Sequence, residues 1–166
     1  MYANKGWLRC DKENTDYYFV WGKDGKIVGA NKLTSDYQIA NPVSGSSVKD
    51  SLIITIGDNP KNIILFEQPI DSLKYIADNR DQIGNCILIC SREGDLTKQY
   101  SSEKVNNYLK TTSIDNIDIF TNAHNSEKIK ENILNHIEIE NKNEHTKNFN
   151  LNVMTNTHTK TFEKTF

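Results

Sequence analysis

What this chain has little of narrows it before any motif is read. Its 166 residues include three cysteines, Cys10, Cys86 and Cys90, an odd number without metal-ligand spacing. Cys86 and Cys90 lie inside a strand-like run, so the pattern argues for reduced, buried thiols rather than a disulfide framework or a zinc site. No apolar stretch approaches the roughly 18 residues of a membrane span, and no signal-peptide pattern opens the chain. These absences predict a cytoplasmic protein with no membrane partner. An excess of positive charge is missing too: 20 Lys and Arg stand against 22 Asp and Glu, a formal net charge of -2. That argues against a protein that coats nucleic acid over its whole surface, although a local patch can still bind DNA. Gly-rich phosphate loops, Ser-His-Asp sets and HExxH helices are also absent, so no such motif claims an enzyme assignment.

The hydrophobic fraction is only 36%, but it comes in blocks, which predicts that most of the chain folds as one domain or one domain with an appendage. Residues 1–60 read as a β module. The runs Tyr17 to Trp21 and Lys26 to Ala30 flank Lys23-Asp24-Gly25, and Asp-Gly between two such runs is a hairpin signal. A third strand is expected through Tyr37-Gln38-Ile39, a polar turn from Pro42 to Ser47, and a further strand from Ser51 to Gly57. The aromatics Trp7, Tyr17, Tyr18 and Trp21 have two readings: strand residues that fill a core, or a platform that stacks single-stranded bases beside Lys23, Lys26 and Lys32.

Over 61–140 the pattern alternates strand and helix. Strands are expected at Ile63 to Glu67, Cys86 to Cys90 and Ile117 to Phe120. Helices are expected over Asp71 to Asn79, with Leu73, Ile76 and Ala77 inward, over Ser102 to Leu109 with Ser102 as cap, and over Ser126 to Ile137. This order implies a mainly parallel α/β sheet with right-handed crossovers. Residues 141–166 turn polar and rich in Asn, Lys and Thr, which suits an edge strand or a frayed tail.

The most informative stretch is Ile63-Ile64-Leu65-Phe66-Glu67-Gln68-Pro69-Ile70-Asp71, where an unbroken apolar run stops on a carboxylate. A run without polar alternation reads as a strand buried on both faces, and the C-terminal edge of such strands is where α/β sheets bind ligands. Pro69 is expected to end the strand, with Asp71-Ser72 capping the next helix. The second strand end offers Ser91-Arg92-Glu93-Gly94 and the third Thr121-Asn122-Ala123-His124. Arg92 is the basic residue placed to meet a phosphate, unless it pairs with Glu93 or Asp95. Those two acids are read as solvated loop residues, and His124, without a second His or Cys at ligand spacing, as a polar loop residue.

These features resemble the Toprim family, the nucleotidyl-transferase and strand-passage domain of bacterial primases, topoisomerases and some nucleases. They look most like Toprim-like proteins of plasmids and integrative elements, where a small β module precedes the core. The motifs that carry the likeness are Glu67 with Asp71, then Ser91 and Gly94 after the second strand, Gly25 to Ala30 with the later Gly45-Ser46, and Lys147-Asn148-Phe149-Asn150. They span roughly residues 14 to 150. The resemblance implies a Toprim-like (Rossmann-like) α/β fold, a metal site for Mg²⁺ or Mn²⁺ at Glu67, Asp71, Asn122 and His124, catalytic roles for Glu67 (a general base or the vestige of one) and Asp71, and nucleic-acid contacts from Ser91, Arg92 and Gly94. The chain departs from the family where the third strand should end in Asp-x-Asp, since it carries Asn122-Ala123-His124, and where the closing Asp is Asn148. Mg²⁺ prefers carboxylate and water oxygens, and an amide and an imidazole do not offset its dehydration. The expectation is therefore a catalytically degenerate protein of a mobile element, acting in DNA replication or transfer by binding DNA or a replication or relaxase-type partner. Two alternatives stand beside it: an active metal-dependent primase-type nucleotidyl transferase or nuclease, and an interaction or inhibitor module on the same scaffold.

Overall fold

The computed structural model describes residues 6–13, 16–23, 26–33, 39–47, 52–91, 96, 99–121, 124, 126–141, 149–154 and 159–164. Four antiparallel strands form the first sheet in sequence order: β1 (Leu8–Cys10), β2 (Tyr17–Lys23), β3 (Lys26–Leu33) and β4 (Ile39–Pro42). The expected hairpin joins β2 and β3, with a register shift at Trp21/Gly22. Trp21 explains one glycine of this pair. It is 4% exposed and lies flat against Gly29, its partner in register, where a Cβ would come within 2.2 Å of the indole. The Gly45-Ser46 pair closes the sheet: Ser46 Oγ accepts from the Ala30 N–H at 3.1 Å and donates to the Ala30 carbonyl at 3.3 Å. Gly45 supplies the turn with a φ of 84° that favours glycine. The third strand expected at Tyr37 starts at Ile39 among the described residues, and Tyr37 and Gln38 lie outside them.

The second sheet has six strands in the order β10-β9-β8-β6-β7-β5. These are β5 (Ile53–Ile56), β6 (Asn62–Phe66), β7 (Cys86–Cys90), β8 (Asn116–Phe120), β9 (Phe149–Met154) and β10 (Thr159–Lys164). The pairs β6/β7, β6/β8 and β8/β9 are parallel, while β5 and β10 add antiparallel edges. The fold is thus mixed α/β, with a small antiparallel sheet and a mostly parallel sheet flanked by helices. The core sheet reaches past 61–140 at both ends, because β5 precedes that span and β9 and β10 follow it. Within 141–166 the chain forms an edge strand, β10, and inside it β9, in which Phe149, Leu151 and Val153 alternate with asparagines, so only one of its faces is apolar.

Three helices connect the parallel strands: α1 (Pro69–Asp78), α2 (Gln99–Thr111) and α3 (Ser126–Asn141). The chain steps from β6 out to β7, then returns across β6 to β8 and onward to β9. Right-handed crossovers therefore put α1 on one face and α2 with α3 on the other. Packing agrees. Ile63, Leu65, Ile87, Ile89, Ile117 and Ile119 bury against Val105 and Leu109 of α2 and Ile129 and Ile133 of α3. Their neighbours Ile64, Phe66, Leu88 and Cys90 pack with Ile76 of α1, with Leu52 and Ile54, and with Phe19 from the antiparallel sheet. Phe19 is 0% exposed and ties the β module to the core.

Several local expectations are corrected. Pro69 does not close the strand but opens α1 at its first position, where its fixed φ and missing N–H suit the helix start. Asp71 and Ser72 consequently lie inside the first turn instead of capping it; the extended N-cap is Gln68, without a side-chain bond. Ser72 Oγ donates instead to the Pro69 carbonyl at 2.6 Å. Ala77 is exposed rather than inward, because the buried stripe of α1 runs through Pro69, Ser72 and Ile76. Ser102 lies within α2, which begins at Gln99. Cys10 is exposed, whereas Cys86 and Cys90 are buried as expected.

Candidate functional site

The order β7-β6-β8 makes the C-terminal end of β6 the point where the chain's connections diverge to opposite faces, the position where open α/β sheets form a ligand crevice. Glu67 stands there, directly after Phe66 and half-buried. Asp71 follows in the first turn of α1 and is exposed. Partial desolvation raises the Asp71 carboxyl above its ordinary value, Lys74 opposes that, and the charge of Glu67 adds to it. The Glu67 charge thus reaches Asp71, which places the two acids near one another at this edge.

The neighbouring strand ends are tied into the same edge. Ser91, 1% exposed, donates its N–H to the Phe66 carbonyl at 2.8 Å. Thr121, after β8, donates its N–H to the Met154 carbonyl at 3.2 Å, joining that end to β9. His124 lies in a turn and is exposed. Arg92, Gly94, Asn122 and Asn148 lie outside the described residues, as do Glu93 and Asp95. Under Asp71, Cys90 is enclosed beside Ser72; burial pushes its thiol up to about 12, with the Ser72 hydroxyl acting in the opposite direction. Such a thiol stays protonated and is no nucleophile.

Do these residues fit a divalent cation? Among the described residues no group of three or more His, Cys, Asp or Glu is placed to hold one. Two neighbouring carboxylates and an exposed imidazole do not make the oxygen-rich shell that Mg²⁺ or Mn²⁺ takes in phosphoryl chemistry. No catalytic step through a metal is therefore derived from this edge.

The aromatic platform divides. Trp21 is packed in the antiparallel sheet, whereas Tyr17 is 49% exposed and Lys32 is held in an ion pair with Asp16 at 2.5 Å. A second polar feature, which the sequence reading did not single out, runs over the α1 side of β6, β8 and β9. Asn116 Nδ2 donates to Asn62 Oδ1 at 2.9 Å and Asn150 Nδ2 donates to Asn116 Oδ1 at 3.0 Å, making an amide ladder across three parallel strands. One step along, Asn152 Nδ2 donates to Asp118 Oδ1 at 2.7 Å. Burial raises the Asp118 carboxyl, with the Asn152 bond acting against it. The signal was present in the alternation Asn116-x-Asp118 and Asn150-x-Asn152 between buried Ile117, Ile119, Leu151 and Val153.

No family model, curated protein or solved structure matches this chain.

Proposed function

We propose that the protein is a catalytically degenerate, Toprim-like member of the DNA replication or transfer machinery of a plasmid or other mobile element, and that it binds DNA, or a replication or relaxase-type partner, through the C-terminal edge of its parallel sheet. The observation that carries this reading is the asymmetry of that edge. Glu67 and Asp71 hold the divergence point after β6, while the adjacent end of β8 continues as Thr121-Asn122-Ala123-His124 without a carboxylate. An edge with two acids after one strand and no carboxylate after its neighbour supports a binding role over two-metal chemistry, which requires a denser negative cluster.

Fluorescence anisotropy with a labelled single-stranded oligonucleotide, combined with calorimetric titration of Mg²⁺ and Mn²⁺, tests this reading. The expected result is DNA binding that weakens steeply with salt, is indifferent to chelator and is kept or strengthened in Glu67→Gln, which removes a negative charge from that edge. No binding at low salt would remove the DNA-binding reading. A millimolar-range metal site together with strand cleavage or nucleotide addition that Glu67→Gln abolishes would replace the proposal by an active enzyme.

A further inference from the structure

Asp118 presents a demand that its described surroundings do not meet. It lies in the middle of β8 between Ile64 of β6 and Asn152 of β9 in register, so it faces the α1 side, away from α2 and α3. One carboxylate oxygen accepts from Asn152 at 2.7 Å. Among the described residues no lysine, arginine or histidine pairs with it. A carboxylate withdrawn from water without a counter-charge is costly, and its desolvation is compensated only by strong donors or a cation. Asn152 Oδ1, in the same patch, is enclosed and has no donor. Among the described residues the patch therefore holds one acceptor without a donor, Asn152 Oδ1, beside a carboxylate whose one hydrogen bond comes from Asn152 Nδ2.

The wall beside them is aromatic. Phe120 stacks on Phe66 with centroids 5.0 Å apart, and Tyr75 of α1 meets Phe120 edge-on at 5.1 Å. The charge of Asp118 reaches the Tyr75 phenol and adds to the burial that raises it. Asp118, Tyr75, Phe120 and Asn152 are each half-buried, so the patch is open to solvent on one side. It adjoins the Glu67 edge, since Phe66 directly precedes Glu67, but its anion is Asp118 of β8 and it does not depend on the function proposed for that edge.

The geometry points to a binding site for an alkylguanidinium group on this face, between α1 and β9, with Asp118 as its anion. A guanidinium is planar and weakly hydrated, offers several N–H donors to a carboxylate, and lies favourably against aromatic rings. A compact ammonium satisfies the charge but neither the fork nor the stacking. The group comes either from a free guanidine compound or from an arginine side chain of a polypeptide.

The full chain is titrated with methylguanidinium and with N-acetyl-arginine amide, followed by amide chemical shifts. Saturable shifts centred on β8, β9 and Tyr75 are expected, with methylammonium binding about tenfold more weakly. Asp118→Asn, whose amide keeps the shape and whose fold is checked by thermal melting, should lose at least about tenfold in affinity, and Phe120→Leu severalfold. Asp58→Asn, an exposed acid outside both faces, should change nothing. Tighter binding of the arginine amide than of methylguanidinium identifies a polypeptide side chain as the ligand, and equal binding identifies the small cation. The absence of saturable shifts, or unchanged affinity in Asp118→Asn, overturns the assignment.

Discussion

Gly29→Ala should destabilise the protein, and the structure gives the size of the effect. The added Cβ would lie 2.2, 2.3 and 2.5 Å from Cε2, Cζ2 and Nε1 of Trp21. Carbon atoms rest at about 3.5 to 4.0 Å, so the indole must withdraw by more than about 1 Å. It has little room to do so, being 4% exposed within its sheet. Burying one more methyl contributes at most about 0.8 kcal/mol, against about 1 to 3 kcal/mol for forcing a packed group off its site and the further loss of part of the indole's burial. The net expectation is a loss of about 2 kcal/mol. Urea unfolding followed by far-ultraviolet circular dichroism measures it without relying on the tryptophan signal. In a Trp21→Leu background the obstructing ring is gone, so the same glycine change should cost at least about 1 kcal/mol less. If Gly29→Ala falls within about 0.5 kcal/mol of the parent, or if its cost is the same with Leu at position 21, the account of this cross-strand contact is wrong.

Two further outcomes follow from groups already described. Burial raises Asp118, so its contribution to stability is fully present below the ordinary carboxyl value of 3.8 and is lost as pH rises through the raised folded-state value. Asp118→Asn should accordingly be more stable than the parent at neutral pH, with the difference shrinking on acidification; chemical denaturation across that range checks it, and a variant less stable at neutral pH contradicts the sign. Ser46→Ala removes both bonds to Ala30 and should lower stability by about 1 kcal/mol. An unchanged urea midpoint would mean that water replaces the hydroxyl there without loss.

Much of the architecture was legible because its signals are short-range. The continuous apolar runs at Ile63 to Phe66 and Cys86 to Cys90 could hardly be anything but doubly covered strands, and both are. Asp-Gly between β-branched and aromatic runs marked the β2/β3 hairpin for the same reason. What failed depended on partners far along the chain. β9 has a half-polar pattern that looks like tail composition until β8 supplies an equally half-polar neighbour, and the amide ladder that joins them exists only as a pair. Pro69 is ambiguous in sequence because a proline ends a strand as readily as it starts a helix; in the fold, Glu67 and Gln68 separate β6 from α1 and Pro69 opens the helix. At the candidate site, the proximity of Glu67 and Asp71 followed from a four-residue spacing across one turn. The Asp118 patch did not, since its members come from α1, β8 and β9, which are far apart along the chain.

The strand order has a consequence for synthesis. β6 is the innermost apolar strand of the parallel set, yet it is made before both of the strands that flank it, and Asn62 waits for a partner 54 residues later. Closing a loop of that length costs more entropy than closing the β6-α1-β7 crossover, although only by about 0.6 kcal/mol per doubling, so the local unit should assemble first and recruit β8 afterwards. Until then a nascent chain carries Ile63 to Phe66 with one open hydrogen-bonding edge. Ribosome-bound intermediates that end between β7 and β8 are the stage at which this protein should depend most on a chaperone.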